Sequence, residues 1–169
     1  MGLSITFEAN GASSSELAQS VEAILDETRL LSLATVTAVG GPAACNAYFA
    51  YDPECRLYIL TPPSTGHIQN ILRDDRVAVL VADTQQTGDG GKHGLQITGR
   101  AAQAVGEELT QGLAAYRERF PATAGVLASE AALEAAGWES RIYVIRPDKI
   151  TVFDERRFGV ERWIEATVA

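Results

Sequence analysis

Leu57-Tyr58-Ile59-Leu60-Thr61-Pro62-Pro63-Ser64-Thr65-Gly66-His67-Ile68-Gln69-Asn70-Ile71-Leu72 sets an apolar run, a double proline and a helical spacing side by side in this 169-residue chain. Arg56 to Thr61 is rich in apolar and aromatic residues and predicts a strand, which Pro62-Pro63 stops because proline has no N–H for a ladder. Ser64 or Thr65 then suits the N-cap of a short helix, whose Ile68, Ile71 and Leu72 recur at i, i+3 and i+4 and turn one face inward. The first N–H groups of a helix have no internal partner and favour negative charge, and Gly66 lets a ligand come close to the backbone. Hydroxyls and amides therefore gather where the strand ends and the helix begins, an arrangement that suits a phosphate. The same residues serve equally as plain caps of a connecting helix.

Working outward, Arg73-Asp74-Asp75-Arg76 leads into Val77 to Ala82, a continuous apolar run that predicts a strand buried on both faces. Upstream, Ser13-Ser14-Ser15-Glu16 opens a helix that carries Leu17, Val21, Ile24 and Leu25 at helical spacing to about Glu27. Leu31 to Val39 and Ala43 to Tyr51 read as two strands around Gly40-Gly41-Pro42, and Asp52-Pro53-Glu54-Cys55 makes the next turn. Downstream, Asp83 to His93 is a loop containing Thr87-Gly88-Asp89-Gly90-Gly91-Lys92, and Gly94 to Val105 is a long strand in which Gly99-Arg100 marks a bulge or a close backbone approach. A helical insert over about 106–137 follows: one helix from Glu107 to Phe120, and an Ala-rich one beyond Pro121 that reaches Ala136 and stops at Gly137. Arg141 to Ile145 and Ile150 to Phe153 predict a hairpin about Arg146-Pro147-Asp148-Lys149, before an aromatic and cationic tail over 154–169. Hairpin-linked strands with helices at the start, middle and later third predict one domain, a mainly β antiparallel barrel with peripheral α-helices.

The composition is that of an ordinary globular protein, 46% hydrophobic and 21% charged. A formal charge of -8 argues against a broad surface for nucleic acid or anionic lipid. No apolar run reaches the roughly 18 residues of a membrane helix, and the start lacks the order of a signal peptide, so a cytoplasmic location is expected. Cys45 and Cys55 are separated by about ten residues of strand and turn, too far for a disulfide, and read as reduced thiols. Cys45 reads as a buried inert thiol before a redox nucleophile. With only His67 and His93 to join them, the cysteines form no metal-ligand spacing, and no metal site is expected.

The order Leu31-Ser32-Leu33-Ala34-Thr35-Val36, a Gly-Pro turn, Cys45-Asn46-Ala47-Tyr48-Phe49-Ala50-Tyr51-Asp52, Leu57-Tyr58-Ile59-Leu60-Thr61, a Ser/Thr-led helix and Leu95-Gln96-Ile97-Thr98-Gly99-Arg100-Ala101 resembles the pyridoxamine 5'-phosphate oxidase-like, FMN-binding split-barrel family over nearly the whole chain. Tyr116-Arg117-Glu118-Arg119-Phe120-Pro121, with Phe158-Gly159 and Trp163, is similar to short bacterial members of that family. The resemblance implies a six-stranded antiparallel split β-barrel, a homodimer, and one FMN in each of two grooves between the subunits. It implies that Cys45, Asn46, Ala47 and Tyr48 line the flavin ring, and that Thr61, Ser64, Thr65, Gly66 and His67 hold the phosphate. Gln96 and, from the tail of the other subunit, Arg157, Phe158 and Trp163 would close the groove.

A flavin carries hydride or single-electron chemistry itself, so the protein has only to position the ring, bond its edge and shield it. The resemblance thus implies an FMN-dependent oxidoreductase that acts on a small molecule, with a donor such as NAD(P)H. Two alternatives stand beside it: a non-catalytic flavin-binding or sensory module, and a split barrel that takes haem or a deazaflavin. Family members that bind FMN firmly often place Arg or Lys at the helix start and on the second strand, where this chain has Gly66, His67 and Cys45. A neutral imidazole anchors phosphate less well than a permanent cation, so modest affinity is expected, with Arg100 or Arg157 as substitute cations. The tail has no Arg-x-His pair of the kind authentic oxidases use for pyridoxal phosphate, so vitamin B6 oxidation is not implied.

Overall fold

A computed structural model describes residues 2–4, 6–87 and 91–168. After β1 (Phe7–Ala9), α1 (Ser14–Glu27) starts in a capping box, where the Ser13 hydroxyl accepts from Glu16 N and the Glu16 carboxylate accepts from Ser13 N. Leu17, Val21, Ile24 and Leu25 are completely buried in the main core. The strands that follow are β2 (Leu30–Val36), β3 (Pro42–Tyr51) and β4 (Leu57–Thr61), then α2 (Gly66–Ile71), β5 (Arg76–Val81) and β6 (His93–Gln103). The insert consists of α3 (Gly106–Arg119), a 3-10 turn at Pro121–Thr123 and α4 (Glu130–Ala135). The chain ends in β7 (Arg141–Asp154), α5 (Glu155–Phe158) and β8 (Trp163–Val168).

The strands pair in the order β7-β4-β3-β2-β5-β6, and β6 returns to β7, so six antiparallel strands close a barrel. Beyond it, β8 adds to β7 and β1 adds to β8. Leu31, Leu33, Phe49, Ile59, Val79, Leu95, Ile97 and Val152 fill the interior together with the apolar faces of α1 and α2. A second cluster covers the outside of β4 and the start of β7, where Tyr58, Ile142 and Val144 meet Leu113, Tyr116, Leu127 and Leu133 of the insert.

Several sequence expectations are corrected. The predicted hairpin about Arg146-Pro147-Asp148-Lys149 is one continuous strand, because β7 changes partners there: β4 pairs as far as Ile145 and β8 begins at Lys149. Pro147 sits in that gap, where no donor is needed on that side. The close approach expected at Gly99 is present, since the register against β7 shifts between Thr98 and Gly99 and a Cβ there would lie 2.1 Å from Arg146 O. β5 is not buried on both faces: Val77, Val79 and Val81 point inward while Ala78 and Leu80 are exposed. β2 ends at Val36, the Ala-rich helix is confined to Glu130–Ala135, and the tail forms α5 and β8, neither of which the local pattern predicted. Of the expected loop at Thr87–Lys92, residues 88–90 lie outside the described residues.

Candidate functional site

Strand register determines which candidates share a surface, since side chains alternate between faces. On the outside of the barrel Asn46 lies opposite Ser32, Ser32 opposite Leu80, Leu80 opposite Gln96, Gln96 opposite Thr151, and Thr151 opposite Glu165. The parallel row below it is Ala44, Ala34, Ala78, Thr98, Lys149 and Thr167. These rows line two adjoining recesses of about 520 and 440 Å³ that share Ser32 and Leu80. The floor is alanine and leucine, and the rim carries amides and hydroxyls together with the ion pair of Lys149 and Glu165, 2.6 Å apart. Leu80, Tyr48 and Trp163 remain 47%, 62% and 54% exposed, an apolar surface that no described residue covers.

Asn46 is oriented by its neighbour: Ser32 Oγ donates to Asn46 Oδ1 at 2.9 Å, which leaves the amide NH₂ directed at whatever occupies the groove. Tyr48 is positioned by the insert. β3 and β4 pair only as far as Phe49 and Ile59, and beyond that point the Tyr116 hydroxyl stands between them, donating to Tyr48 O at 2.6 Å and accepting from Leu60 N at 2.9 Å. The Tyr48 ring meets Phe120 edge-on at 5.9 Å. Trp163 stacks on Phe153 at 4.1 Å and 15°. Cys45 and Ala47 turn inward against the core, so they can meet a ligand on the outer face only through backbone; burial raises the Cys45 thiol above its usual range.

The strand-helix junction is a closed cluster. Thr61 Oγ1 lies 3.0 Å and Thr65 Oγ1 3.1 Å from His67 Nε2, and the two hydroxyls are 3.4 Å apart. Thr65 is the N-cap by position, yet its hydroxyl does not cap the helix; it donates to Pro62 O at 2.9 Å. With that proton committed, the contact between Thr65 and His67 requires a proton on Nε2, so the imidazole is the donor. Burial lowers the His67 pKa and keeps the ring neutral. A Cβ built on Gly66 would meet nothing within 4 Å, so the space outside the helix start is open.

Ser64 lines a neighbouring recess with Trp138, Glu134 and Arg141. Arg141 is the cation that sequence reading missed. It pairs in register with Thr61, a long-range relation that no local pattern carries. Its guanidinium is already spent on Glu134 at 2.6 Å and on the carbonyls of Glu139 and Ser140 at 3.1 Å. Of the substitutes expected from sequence, Arg100 pairs with Asp75 at 2.6 Å and Arg157 donates to Gln19 at 3.1 Å beside α1. Phe158 packs against the main core. The structure thus gathers Asn46, Tyr48, Gln96 and Trp163 on the outer face and Thr61, Thr65, Gly66 and His67 at the junction, and it separates Ser64, Arg157 and Phe158 from both.

Comparisons with known proteins agree on the architecture. The family described as pyridoxamine 5'-phosphate oxidase matches residues 17–153. No curated protein matches the chain. Among solved structures, the haem-binding protein of Mycobacterium smegmatis is similar with a TM-score of 0.70 and 19% identity, over 92% of this chain and 58% of its own. HutZ, the haem storage protein of Vibrio cholerae, is similar with a TM-score of 0.66 and 19% identity, over 85% and 97%. A conserved hypothetical protein of Mycobacterium tuberculosis gives a TM-score of 0.66 and 21% identity, over 89% and 90%. At such identities the structural likenesses speak to the fold alone.

Proposed function

The chain belongs to the pyridoxamine 5'-phosphate oxidase family, and from that premise we propose that it is an FMN-binding oxidoreductase, working as a homodimer with the flavin ring on the outer barrel face. The observation that carries this reading is the groove itself: an exposed apolar floor of Ala34, Ala44, Ala78 and Leu80, bordered in register by Ser32, Asn46, Gln96 and Thr151. A tricyclic ring needs that combination of flat apolar contact and edge hydrogen bonds. When bound, the flavin supplies hydride or electron transfer. Asn46, held by Ser32, would donate to a ring carbonyl, and the Gln96 amide would offer both a donor and an acceptor to the ring edge. Leu80, Tyr48 and Trp163 exclude water, with the second protomer covering what one leaves open. Among the described residues no helix is long and apolar enough to cross a membrane.

A haem-binding reading draws on the names of the mycobacterial and Vibrio proteins. It ranks second because an axial ligand is required, whereas His67 Nε2 is engaged by Thr61 and Thr65 and His93 Nε2 faces Glu27 at 2.9 Å. The test is the visible spectrum of purified protein incubated with FMN and then desalted. Retained flavin bands, bleached anaerobically by NADH or NADPH, are expected. A colourless protein after incubation sinks the flavin reading, and retained flavin that neither nucleotide reduces reassigns the chain to a passive flavin binder.

A further inference from the structure

The strand-helix junction looks in sequence like a phosphate cradle, and its side chains do not behave as one. A phosphate monoester at neutral pH carries close to two negative charges, and sites that select it present several charge-assisted donors. Here the Thr65 hydroxyl proton goes to Pro62 O, and the His67 Nε2 proton goes to the threonine oxygens. That leaves the Thr61 O–H and the uncharged amides of the first helical turn. Burial keeps His67 neutral.

The described residues include every Lys, Arg and His of the chain. Those around the junction each have a partner, and on the outer face Lys149 pairs with Glu165 at 2.6 Å. Arg141 is clamped by Glu134 and two carbonyls, Arg73 donates to Asn70 at 3.3 Å, Arg76 pairs with Asp74 at 2.6 Å, and Arg100 pairs with Asp75 at 2.6 Å. Glu134 and Glu139 further make the Ser64 recess unfavourable to an anion. The Thr61 O–H that remains, with the threonine oxygens as acceptors, matches a neutral polyol chain, whose groups donate and accept by turns.

We infer that this chain recognises flavin through its ring and its ribityl hydroxyls without selecting for the phosphate, so that riboflavin is a ligand on equal terms with FMN. The inference rests on the flavin reading above and narrows its ligand class: flavins are ranked by ring contacts on the outer face, and the phosphate remains in solvent.

The experiment is a pair of equilibrium titrations, FMN and riboflavin, followed by quenching of flavin fluorescence at low and at high salt. Dissociation constants within tenfold of each other, with little salt dependence, are expected. A preference for FMN of tenfold or more, weakened by salt, overturns the inference and leaves the flavin reading intact; it would mean that a cation from a second protomer reaches the phosphate. Failure of both flavins to bind removes the reading and the inference together. A variant fixes the cause. The side chain introduced by Gly66→Arg starts in open space, and it should create a tenfold or greater preference for FMN over riboflavin. If the Gly66→Arg protein still treats the two flavins alike, the phosphate does not lie at the junction, and the assignment of Thr61 and His67 to the ribityl chain is overturned.

Discussion

Tyr116 illustrates how much a single hydroxyl does in this fold. It fills two hydrogen-bonding positions that the parting of β3 and β4 leaves open, Tyr48 O and Leu60 N, and burial pushes its own pKa well above the ordinary phenol range. Tyr116→Phe leaves a partly buried carbonyl and a partly buried amide unpaired and should cost about 1–3 kcal/mol in urea unfolding. It should also weaken flavin binding through Tyr48; unchanged stability would show that water replaces the hydroxyl. His67 gives a prediction in pH. The folded ring resists a proton that the unfolded chain accepts near a pKa of about 6.5, so stability from this position is full above that value and declines as pH falls below it. The wild-type protein should therefore lose stability more steeply on acidification than His67→Gln, and coincident pH profiles would contradict the burial argument. Of these two residues, His67 was legible as a candidate from its place after Ser64-Thr65-Gly66. Tyr116 stands out in sequence only through family likeness, because its partners lie 68 and 56 positions away.

At the scale of elements, what sequence reveals is local and what it hides is pairing. The start of α1 was legible because Ser13 and Glu16 form their capping box within one turn. The close approach at Gly99 was legible because a glycine inside an alternating strand commonly marks a bulge or a neighbouring backbone. The continuity of β7 was not: Arg146-Pro147-Asp148-Lys149 has turn composition, and only the exchange of β4 for β8 as partner makes a proline acceptable there. The exposed face of β5 was hidden for the opposite reason, since Val77 to Val81 is apolar throughout and alternation in burial leaves no trace in such a run. Gly99→Ala tests the β6-β7 crossing. Its Cβ would collide with Arg146 O and Pro147 Cα, which are backbone and cannot turn aside. A loss of more than about 2 kcal/mol is expected. A variant as stable as wild type would mean that the bulge migrates at little cost.

At the scale of the molecule, the barrel divides into two outer surfaces with different fates. The side formed by β4 and the beginning of β7 is covered by α3 and α4. The side formed by β2, β5 and β6 is left uncovered by the described residues, with Leu80 between Ser32 and Gln96. That contrast joins the proposed homodimer to the proposed flavin site, because one apolar surface serves both. It also explains why the candidate site was only partly legible: the junction residues are contiguous in sequence, whereas Asn46, Gln96 and Trp163 meet one face only after the register of six strands is known. Titration of FMN fluorescence with wild-type protein and with Leu80→Arg, a position already half exposed where the change should not disturb folding, tests whether one outer surface carries both the flavin and the subunit contact. Saturable quenching by a dimeric wild type is expected, with loss of both quenching and dimer in Leu80→Arg. Equal quenching by a dimeric Leu80→Arg protein would contradict this, by placing the flavin and the subunit contact away from the outer face of the barrel.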